Sequence, residues 1–414
     1  MALDRNPSYV FESAFSDRGA KNYWRGTQRI VDPRRTVELA EAAAPSMGIT
    51  RVANVTGLDV IGIPVIMAIR PNSRSLSVSQ GKGLTLDAAK ASGLMESIEL
   101  YHAEHIEAPL RYATLSEMRA RGNDVDADAL PRPMSSSFHA DLKILWIQGY
   151  DLLVRRDVWI PFELVSIDCS VPLPPGHGSF SITSNGLASG NNLLEAVCHG
   201  VAEVIERDAT TISAFSKSSS RVVDTATIHD IDCISVLNRF REVGITVEVL
   251  DITSDIGIPA FRCVISDPAR RATVYHHRAG GFGCHLDKNV AMLRALTEAA
   301  QSRLTLIAGS RDDMKARSYQ RGIDPWAAGD GQKAKVRSDF NDIESLATTD
   351  LRDDVDLYLQ RLAAIGVSSV VAVDLSKPEH PFSVVRIVIP GLETLLTSFG
   401  YRPGNRAQAA MDAT

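Results

Sequence analysis

The sequence lacks the marks of two common protein classes. Its five cysteines are scattered and include no Cys-x-x-Cys pair, so they offer no structural zinc site and fit a reducing compartment. Lysine and arginine form no dense run and the net charge is −6, which argues against a general nucleic-acid binder. We therefore expect no nucleic-acid partner.

A membrane-spanning segment and a signal peptide are also lacking. The most apolar window, residues 60–69, contains Gly62 and Pro64 and is too short to cross a bilayer. Residues 1–10 contain no basic segment followed by an apolar run. We therefore predict a cytoplasmic protein that does not contact a membrane.

The familiar nucleotide signatures are missing as well. The chain has no G-x-x-x-x-G-K-[ST] segment and no kinase HRD or DFG set. Lys82 lies between Gly81 and Gly83, but this short pattern is a weak signal by itself. A nucleotide site in this chain must therefore be built from other parts.

The remaining composition is that of a large globular protein. The chain has 414 residues, of which 44% are hydrophobic and 23% are charged, enough for a sizeable core. This length predicts two domains, or one large duplicated domain. Strand-like apolar segments mixed with amphipathic helices predict an α/β or α+β fold with two or three packed layers.

One motif occurs three times: a glycine-rich segment, interpreted as a turn, that leads into a helix with Glu-x-x-Glu or a close relative. The helices are predicted at about residues 85–105, 192–215 and 287–306. Side chains three apart on a helix project from one face. The paired residues are Glu96 and Glu99, Glu203 and Glu206, and Glu298 and Gln301. Others on the same faces include Ser92, Asn191, Glu195 and Arg294.

These stripes predict a site for a nucleotide and a hard cation. Mg²⁺ prefers carboxylate and phosphate oxygens, and glycine-rich backbone could admit phosphates. Arg207 and Arg303 could contact phosphate oxygens, whereas Asn191, Glu195 and Gln301 suit a ribose, a base or metal-bound water. The alternative is an ordinary solvated helix face, and the residues alone leave both interpretations open.

At these residues the sequence resembles the YcaO family, ATP-dependent enzymes that activate peptide-backbone amides. The resemblance covers most of the chain and is carried by residues 49–65, 77–83, 92–99, 184–208, 293–304, 310–313 and 388–393. The N-terminal part most resembles the subgroup associated with TfuA partners. The resemblance implies duplicated halves of mixed sheet and helices that enclose one ATP site.

The same resemblance implies a set of site residues. Mg²⁺ would be held by Glu96 and Glu99 from one half and by Glu203 and Glu206 from the other. The nucleotide-site positions would be Lys21, Lys82, Ser92, Asn191, Glu195, Arg207, Gln301 and Arg303. No residue is assigned as a covalent catalyst, because the family chemistry relies on positioning and electrostatics. Leu100 stands where the first motif often continues with arginine, so that contact is missing or replaced.

Two products are compatible with this chemistry. A side-chain nucleophile of a ribosomally made peptide would give an azoline ring, as in a cyclodehydratase, whereas an external sulfur donor would give a thioamide. Azoline-forming members tend to end in a proline-rich tail, which GYRPGNRAQAAMDAT does not resemble. We therefore favour thioamide formation with a TfuA-like partner, and we expect a homodimer. A non-catalytic peptide-binding scaffold is the alternative from another class.

The expected domain organisation has three parts. Residues 1–70 would form an N-terminal segment with the first strands. Residues 71–400 would form the internally duplicated YcaO-like catalytic domain. Residues 401–414 would form a flexible C-terminal tail.

Overall fold

The computed structural model describes residues 6–122, 125–268, 278–314, 334–394 and 400–413. Helices and strands alternate along it, as the sequence predicts. The helices are α1 (Pro7–Ser16), α2 (Pro33–Ala43), α3 (Leu86–Glu104), α4 (Leu115–Arg119), α5 (Leu193–Phe215), α6 (Ile231–Glu242), α7 (Lys288–Ala308), α8 (Leu351–Ala364) and α9 (Asn405–Asp412).

The strands are short and form three separate sheets. They are β1 (Arg51–Asn54), β2 (Val65–Ile69), β3 (Val78–Lys82), β4 (Leu110–Ala113), β5 (Ile144–Asp151), β6 (Arg156–Pro161), β7 (Leu187–Gly190), β8 (Ser220–Asp224), β9 (Thr246–Asp251), β10 (Ala260–Ser266), β11 (Arg278–Cys284), β12 (Lys335–Asp339), β13 (Val371–Asp374) and β14 (Ser383–Val388). Within the described ranges no helix is both long and apolar enough to cross a membrane.

The chain divides into two compact units, each made of separate stretches. Unit 1 consists of Met1–Ala20, Ile98–Thr211 and Thr348–Ala409. Unit 2 consists of Lys21–Ser97, Ile212–Ala347 and Ala410–Thr414. The division at residue 70 that the sequence analysis gives stays a prediction.

Unit 1 is built on a six-stranded antiparallel sheet. Its order is β4-β5-β13-β14-β7, and β6 pairs with β5. Helix α5 packs on β7 and β14 through Gly200, where an added Cβ would lie 2.6 Å from the Ile387 side chain. This close approach fixes the helix that carries Glu203 and Glu206 against the sheet.

Unit 2 contains two sheets. Strands β1, β2 and β3 form an antiparallel meander, and the second sheet has the order β11-β10-β9-β8-β12 with β12 parallel to β8. Helices α6 and α7 bury Phe240 and Leu296 in a shared core with Phe261 of β10. The mixed sheets and packed helices confirm the α/β class.

The segment predicted to be a flexible tail contains helix α9. Arg406 of α9 makes a two-pronged ion pair with the fully buried Asp208, with Nε–Oδ1 and Nη2–Oδ2 distances of 3.0 and 2.9 Å. The carboxylate of Glu393 accepts hydrogen bonds from the amide nitrogens of Gly404 and Ala407, at 3.0 and 2.8 Å. Because these carboxylates are buried, they anchor α9 to the body of unit 1.

Candidate functional site

The glycine-rich segments are strands rather than turns. Gly81, Gly190 and Gly281 lie in β3, β7 and β11, and each strand runs into the helix that follows it. A Cβ at Gly81 would lie 2.0 Å from the amide nitrogen of Gly93, and one at Gly281 would lie 2.3 Å from that of Ala299. These glycines let a helix backbone approach the strand, so the interpretation of the segments as turns is wrong, whereas their phosphate-binding role stays a prediction.

These contacts also set the register of each helix on its strand. Gly83, which directly follows β3, and Gly190 of β7 face the amide nitrogens of Ala89 and Ala196, at 2.8 and 2.5 Å from an added Cβ. Seven and ten residues beyond these alanines lie Glu96 and Glu99 on α3, and Glu203 and Glu206 on α5. The first two copies are therefore equivalent in register.

The first and third copies match through another glycine contact. A Cβ at Gly81 would lie 2.1 Å from the Ala89 carbonyl oxygen and 2.0 Å from the Gly93 amide nitrogen, and one at Gly283 would lie 2.1 and 2.7 Å from the Ala291 oxygen and the Ala295 nitrogen. In this register Glu298 and Gln301 correspond to Glu96 and Glu99, and both Glu96 and Glu298 accept a hydrogen bond from a strand amide nitrogen sixteen residues earlier. The third copy therefore carries an acid at the first position of the pair and an amide at the second.

In unit 2, Glu96 is joined to the strand beside it. Its Oε2 accepts a hydrogen bond from the Gln80 amide nitrogen at 3.2 Å. Burial raises the pKa of Glu96, against the opposing effects of Arg311, this hydrogen bond and Lys82. The carboxylate therefore lies in a poorly solvated position, where a bound cation would stabilise its charged form.

Lys82, Glu298 and Gln301 gather around the same strand. The Lys82 ammonium lies 2.6 Å from Oε2 of Glu298, whose Oε1 accepts a hydrogen bond from the Phe282 amide nitrogen at 3.2 Å. The Gln301 amide donates to the Gln80 carbonyl at 2.7 Å. Strand β3 thus brings the predicted residues Lys82, Glu96 and Gln301 together within unit 2.

Three other residues predicted for the nucleotide site in unit 2 have different surroundings. Lys21 is buried and donates to Gln28 at 2.6 Å. Arg303 makes ion pairs with Asp59 and Asp267 at 3.0 and 3.1 Å, so Nε and Nη2 are committed to carboxylates. Ser92 is exposed on α3.

In unit 1, Glu99 caps the end of a strand. Its Oε1 accepts hydrogen bonds from both the amide nitrogen and the hydroxyl of Ser189, at 2.8 and 2.6 Å. Glu99 is 9% exposed. The two bonds hold one carboxylate oxygen in place.

Glu203 and Glu206 flank Arg207 in unit 1. The guanidinium lies 3.7 Å from a Glu203 oxygen and 3.8 Å from a Glu206 oxygen. The Glu206 side chain is 3% exposed and that of Glu203 is 15% exposed. The Arg207 guanidinium therefore places a positive charge between these two carboxylates.

Asn191 and Glu195 also meet, at the start of α5. Oε1 of Glu195 accepts from the backbone nitrogen and the side-chain nitrogen of Asn191, at 3.2 and 2.9 Å. Asn192 caps this helix end by accepting from the Glu195 amide nitrogen at 2.9 Å. The amide and carboxylate are thereby ordered as a pair.

Arg386 of β14 is a residue that the sequence analysis did not assign. It is 3% exposed, and burial lowers its pKa to about 10, although the nearby charge of Glu203 opposes this effect. A strand residue flanked by valine and isoleucine gives no sequence signal for function. Only its burial beside an acidic helix marks it.

The donor set fits Mg²⁺ with bound phosphates. Among the described residues, no three His, Cys, Asp or Glu side chains lie close enough together to form a complete metal site. Mg²⁺ is usually held by one or two carboxylates, with water and substrate phosphates completing its shell. Pairs made of one buried and one partly buried carboxylate, one pair already compensated by a guanidinium, suit that mode.

The structure therefore defines an α/β protein with acidic helix pairs suited to a nucleotide and its metal. The family model described as "YcaO cyclodehydratase, ATP-ad Mg2+-binding" matches residues 80–393. The chain belongs to the YcaO family, and its cofactors are ATP and Mg²⁺.

One relative and two solved structures illustrate the similarity. An uncharacterized protein in the tfuA 3' region of Rhizobium leguminosarum bv. trifolii is 39% identical over 409 residues, 95% of this chain and 94% of the relative. YcaO from Methanopyrus kandleri, bound with AMPPCP and Mg²⁺, has a TM-score of 0.69 at 22% identity, covering 91% of this chain and 95% of that one.

The second structure is a heterocyclase in complex with substrate and cofactor. Its TM-score is 0.78 at 24% identity, over 97% of this chain. The present chain spans only 57% of the length of that heterocyclase. At these identities both structures bear on the fold alone.

Proposed function

We propose that this protein converts a peptide backbone amide into a thioamide. ATP phosphorylates the amide oxygen, and sulfur from an external donor, delivered with a TfuA-like partner, replaces that oxygen. One amide, one ATP and one hydrogen sulfide would give one thioamide, ADP and phosphate. The proposal places the enzyme in the cytoplasm, acting on a ribosomally made peptide and forming a homodimer.

The observation that carries this proposal is the relative in the tfuA 3' region. Its 39% identity extends over almost the whole of both chains, so the likeness is not confined to a shared nucleotide site.

The four glutamates are proposed to hold Mg²⁺. Glu96 and Glu99 would contribute from α3, and Glu203 and Glu206 from α5. Their equivalent register on the two helices supports this assignment. When bound, ATP and Mg²⁺ supply the phosphoryl group and neutralise the charge that develops during its transfer.

The remaining residues would bind and orient the nucleotide. Arg207 is placed to turn from Glu203 and Glu206 toward phosphate oxygens once a metal takes its place. Lys82 and Gln301 would contact the nucleotide from strand β3, and Asn191 with Glu195 would contact the ribose or base. Lys21, Ser92 and Arg303 keep weaker proposed roles as outer nucleotide contacts.

An azoline-forming cyclodehydratase is the second candidate. The description of the matching family model favours it. In that reaction a Cys, Ser or Thr side chain of the peptide attacks the amide, and no external sulfur is needed. A non-catalytic scaffold is less well supported, because all four glutamates of the proposed metal site are present.

The test is to incubate the full chain with a TfuA-like partner, ATP, Mg²⁺, isotopically labelled sulfide and candidate ribosomal peptides, followed by mass spectrometry. Replacement of one oxygen by labelled sulfur supports the proposal. Loss of water without sulfur uptake would establish the azoline reaction instead. Absence of nucleotide binding at millimolar ATP with Mg²⁺ would support the scaffold.

A further inference from the structure

Arg386 is a buried cation whose hydrogen-bonding capacity is mostly unused. Its Nη2 donates to the Thr183 carbonyl at 2.5 Å. Nε and Nη1 are buried and have no hydrogen-bond partner among the residues that the structure describes. An unmet donor on a buried guanidinium is costly, so this arrangement indicates a ligand with an oxygen acceptor.

Asn185, which comes just before β7, carries an unmet acceptor. Its Oδ1 is buried and lacks a donor within the described part of the chain. Asn185 is held near Arg386 by two contacts: its amide nitrogen donates to the Thr183 hydroxyl at 3.2 Å, and Gly186 accepts from the Ile387 amide nitrogen at 2.8 Å. Unmet donors and an unmet acceptor therefore lie at the same end of β7 and β14.

The unmet donors of Arg386 and the unmet acceptor of Asn185 together distinguish a peptide backbone from a phosphate as the ligand. A phosphate at neutral pH offers mainly acceptors, so it could satisfy Arg386 but would leave Oδ1 of Asn185 unmet. A peptide backbone offers both a carbonyl acceptor and an N–H donor.

We infer that Arg386 and Asn185 bind the backbone of the peptide substrate, with Arg386 donating to a carbonyl oxygen and Asn185 accepting an N–H. This deepens the proposed function, on which it rests, by naming the residues that hold the peptide. Arg386 would also stabilise negative charge that develops on the amide oxygen under attack.

The test uses acetyl-triglycine N-methylamide, a blocked peptide with backbone amides but no side chain or charge. Its affinity for the full-length protein is measured by NMR titration, beside that of a non-hydrolysable ATP analogue with Mg²⁺. Arg386→Met should weaken binding of the blocked peptide by roughly tenfold to a hundredfold, as expected for the loss of hydrogen bonds to a charged group. The affinity for the ATP analogue should change by less than about twofold.

Matched variants at the acceptor sharpen the test. Asn185→Asp keeps an acceptor oxygen and should retain peptide affinity, whereas Asn185→Leu should lose it. Because Arg386 is buried without full pairing, Arg386→Met should melt at or above the wild-type temperature. If the Arg386→Met variant does not fold, the same comparison of peptide and nucleotide affinity is made with Arg386→Lys and Asn185→Leu.

Three results would overturn the inference. Equal loss of ATP-analogue affinity in Arg386→Met would identify a phosphate ligand. Unchanged peptide affinity in every variant would identify an internal water site, and no binding of the peptide to the wild type would remove the site. Because the assay needs neither sulfide nor turnover, thioamide formation can fail while peptide binding stands.

Discussion

The strand–helix pairs β7–α5 and β11–α7 share one packing device and differ in chemistry. In both, a strand glycine admits the helix backbone, at 2.5 and 2.7 Å from an added Cβ. Helix α5 carries the pair Glu203 and Glu206, whereas α7 carries Glu298 and Gln301. The comparison teaches that the glycines preserve packing, while the helix residues are free to diverge in function.

Glu203→Gln should break this comparison most strongly. Loss of a carboxylate from the proposed metal pair should reduce ATP turnover on the order of a thousandfold, because the charge that holds the cation is gone. ADP release under steady-state conditions measures the effect. Glu298→Gln, at the matching position of α7, is the control and should lose far less turnover. Equal losses in both variants would contradict the comparison between the two helices.

Gly283→Ala tests the packing device itself. The new Cβ would lie 2.1 Å from the Ala291 carbonyl oxygen, so strand and helix must separate. We expect a loss of about 3 kcal/mol in the free energy of unfolding. Urea denaturation measures it, with Gly57→Ala as the control, since no atom lies within 4 Å of a Cβ there. Gly190→Ala should behave like Gly283→Ala; a large difference between them would show that the packing is not shared.

Acid should weaken the unit that contains β7–α5 through a buried histidine. Burial lowers the pKa of His102 to about 4, while its Nδ1 donates to the Ile98 carbonyl at 2.8 Å and its Nε2 lies 3.1 Å from Nδ1 of His380. Between the unfolded value near 6.5 and the folded value, only the unfolded chain binds the proton. This contribution to stability is therefore complete above pH 6.5 and is lost as the pH falls toward 4.

The expected loss from this histidine on acidification is roughly 3 kcal/mol. His102→Gln should flatten the dependence of the unfolding free energy on pH across this range. A variant with the same slope as the wild type would place the acid sensitivity elsewhere. His285 of unit 2, whose pKa burial also lowers, would be the next residue to substitute.

The ion pair between Lys82 and Glu298 should give the smallest effect. Both side chains are about one-fifth exposed, at 20% and 22%, so solvent screens their interaction. A double-mutant cycle with Lys82→Met and Glu298→Gln should give a coupling energy of about 1 kcal/mol or less in unfolding. If Lys82 contacts the nucleotide, Lys82→Met should in addition weaken ATP binding by about tenfold, whereas Glu298→Gln should leave ATP binding unchanged. Equal effects of both variants on ATP affinity would argue for a purely structural pair.

Hydrophobic periodicity and helix-capping residues in the sequence were enough to locate the helices that carry the candidate site. The predicted helix at 192–215 is α5 within one residue, and that at 287–306 is α7 within two. Helix periodicity is a strong local signal, and Asp287 caps α7 by accepting from the Asn289 amide nitrogen at 2.8 Å. The glycine segments were misread because a strand glycine under a helix and a glycine in a turn share the same composition.

The candidate site was only partly accessible from the sequence. The spacing of glutamates on an amphipathic helix is visible in the sequence, and Glu96, Glu99, Glu203 and Glu206 were identified as candidates from that spacing. The convergence of these four carboxylates stays a prediction. Arg303 was assigned by motif, but its partners Asp59 and Asp267 are distant in sequence. Arg386 could not be assigned to the site from the sequence, since burial and unmet nitrogens exist only once the chain has folded.

The anchoring of α9 has a consequence for the life of the protein in a cell. Asp208 directly follows Arg207 and receives its charge partner, Arg406, from the last helix. Proteolytic removal of residues from 406 onward would leave the buried Asp208 carboxylate without its charge partner, at a cost of several kcal/mol. A shortened chain should therefore be cleared by proteases as a misfolded protein rather than persist as a damaged enzyme.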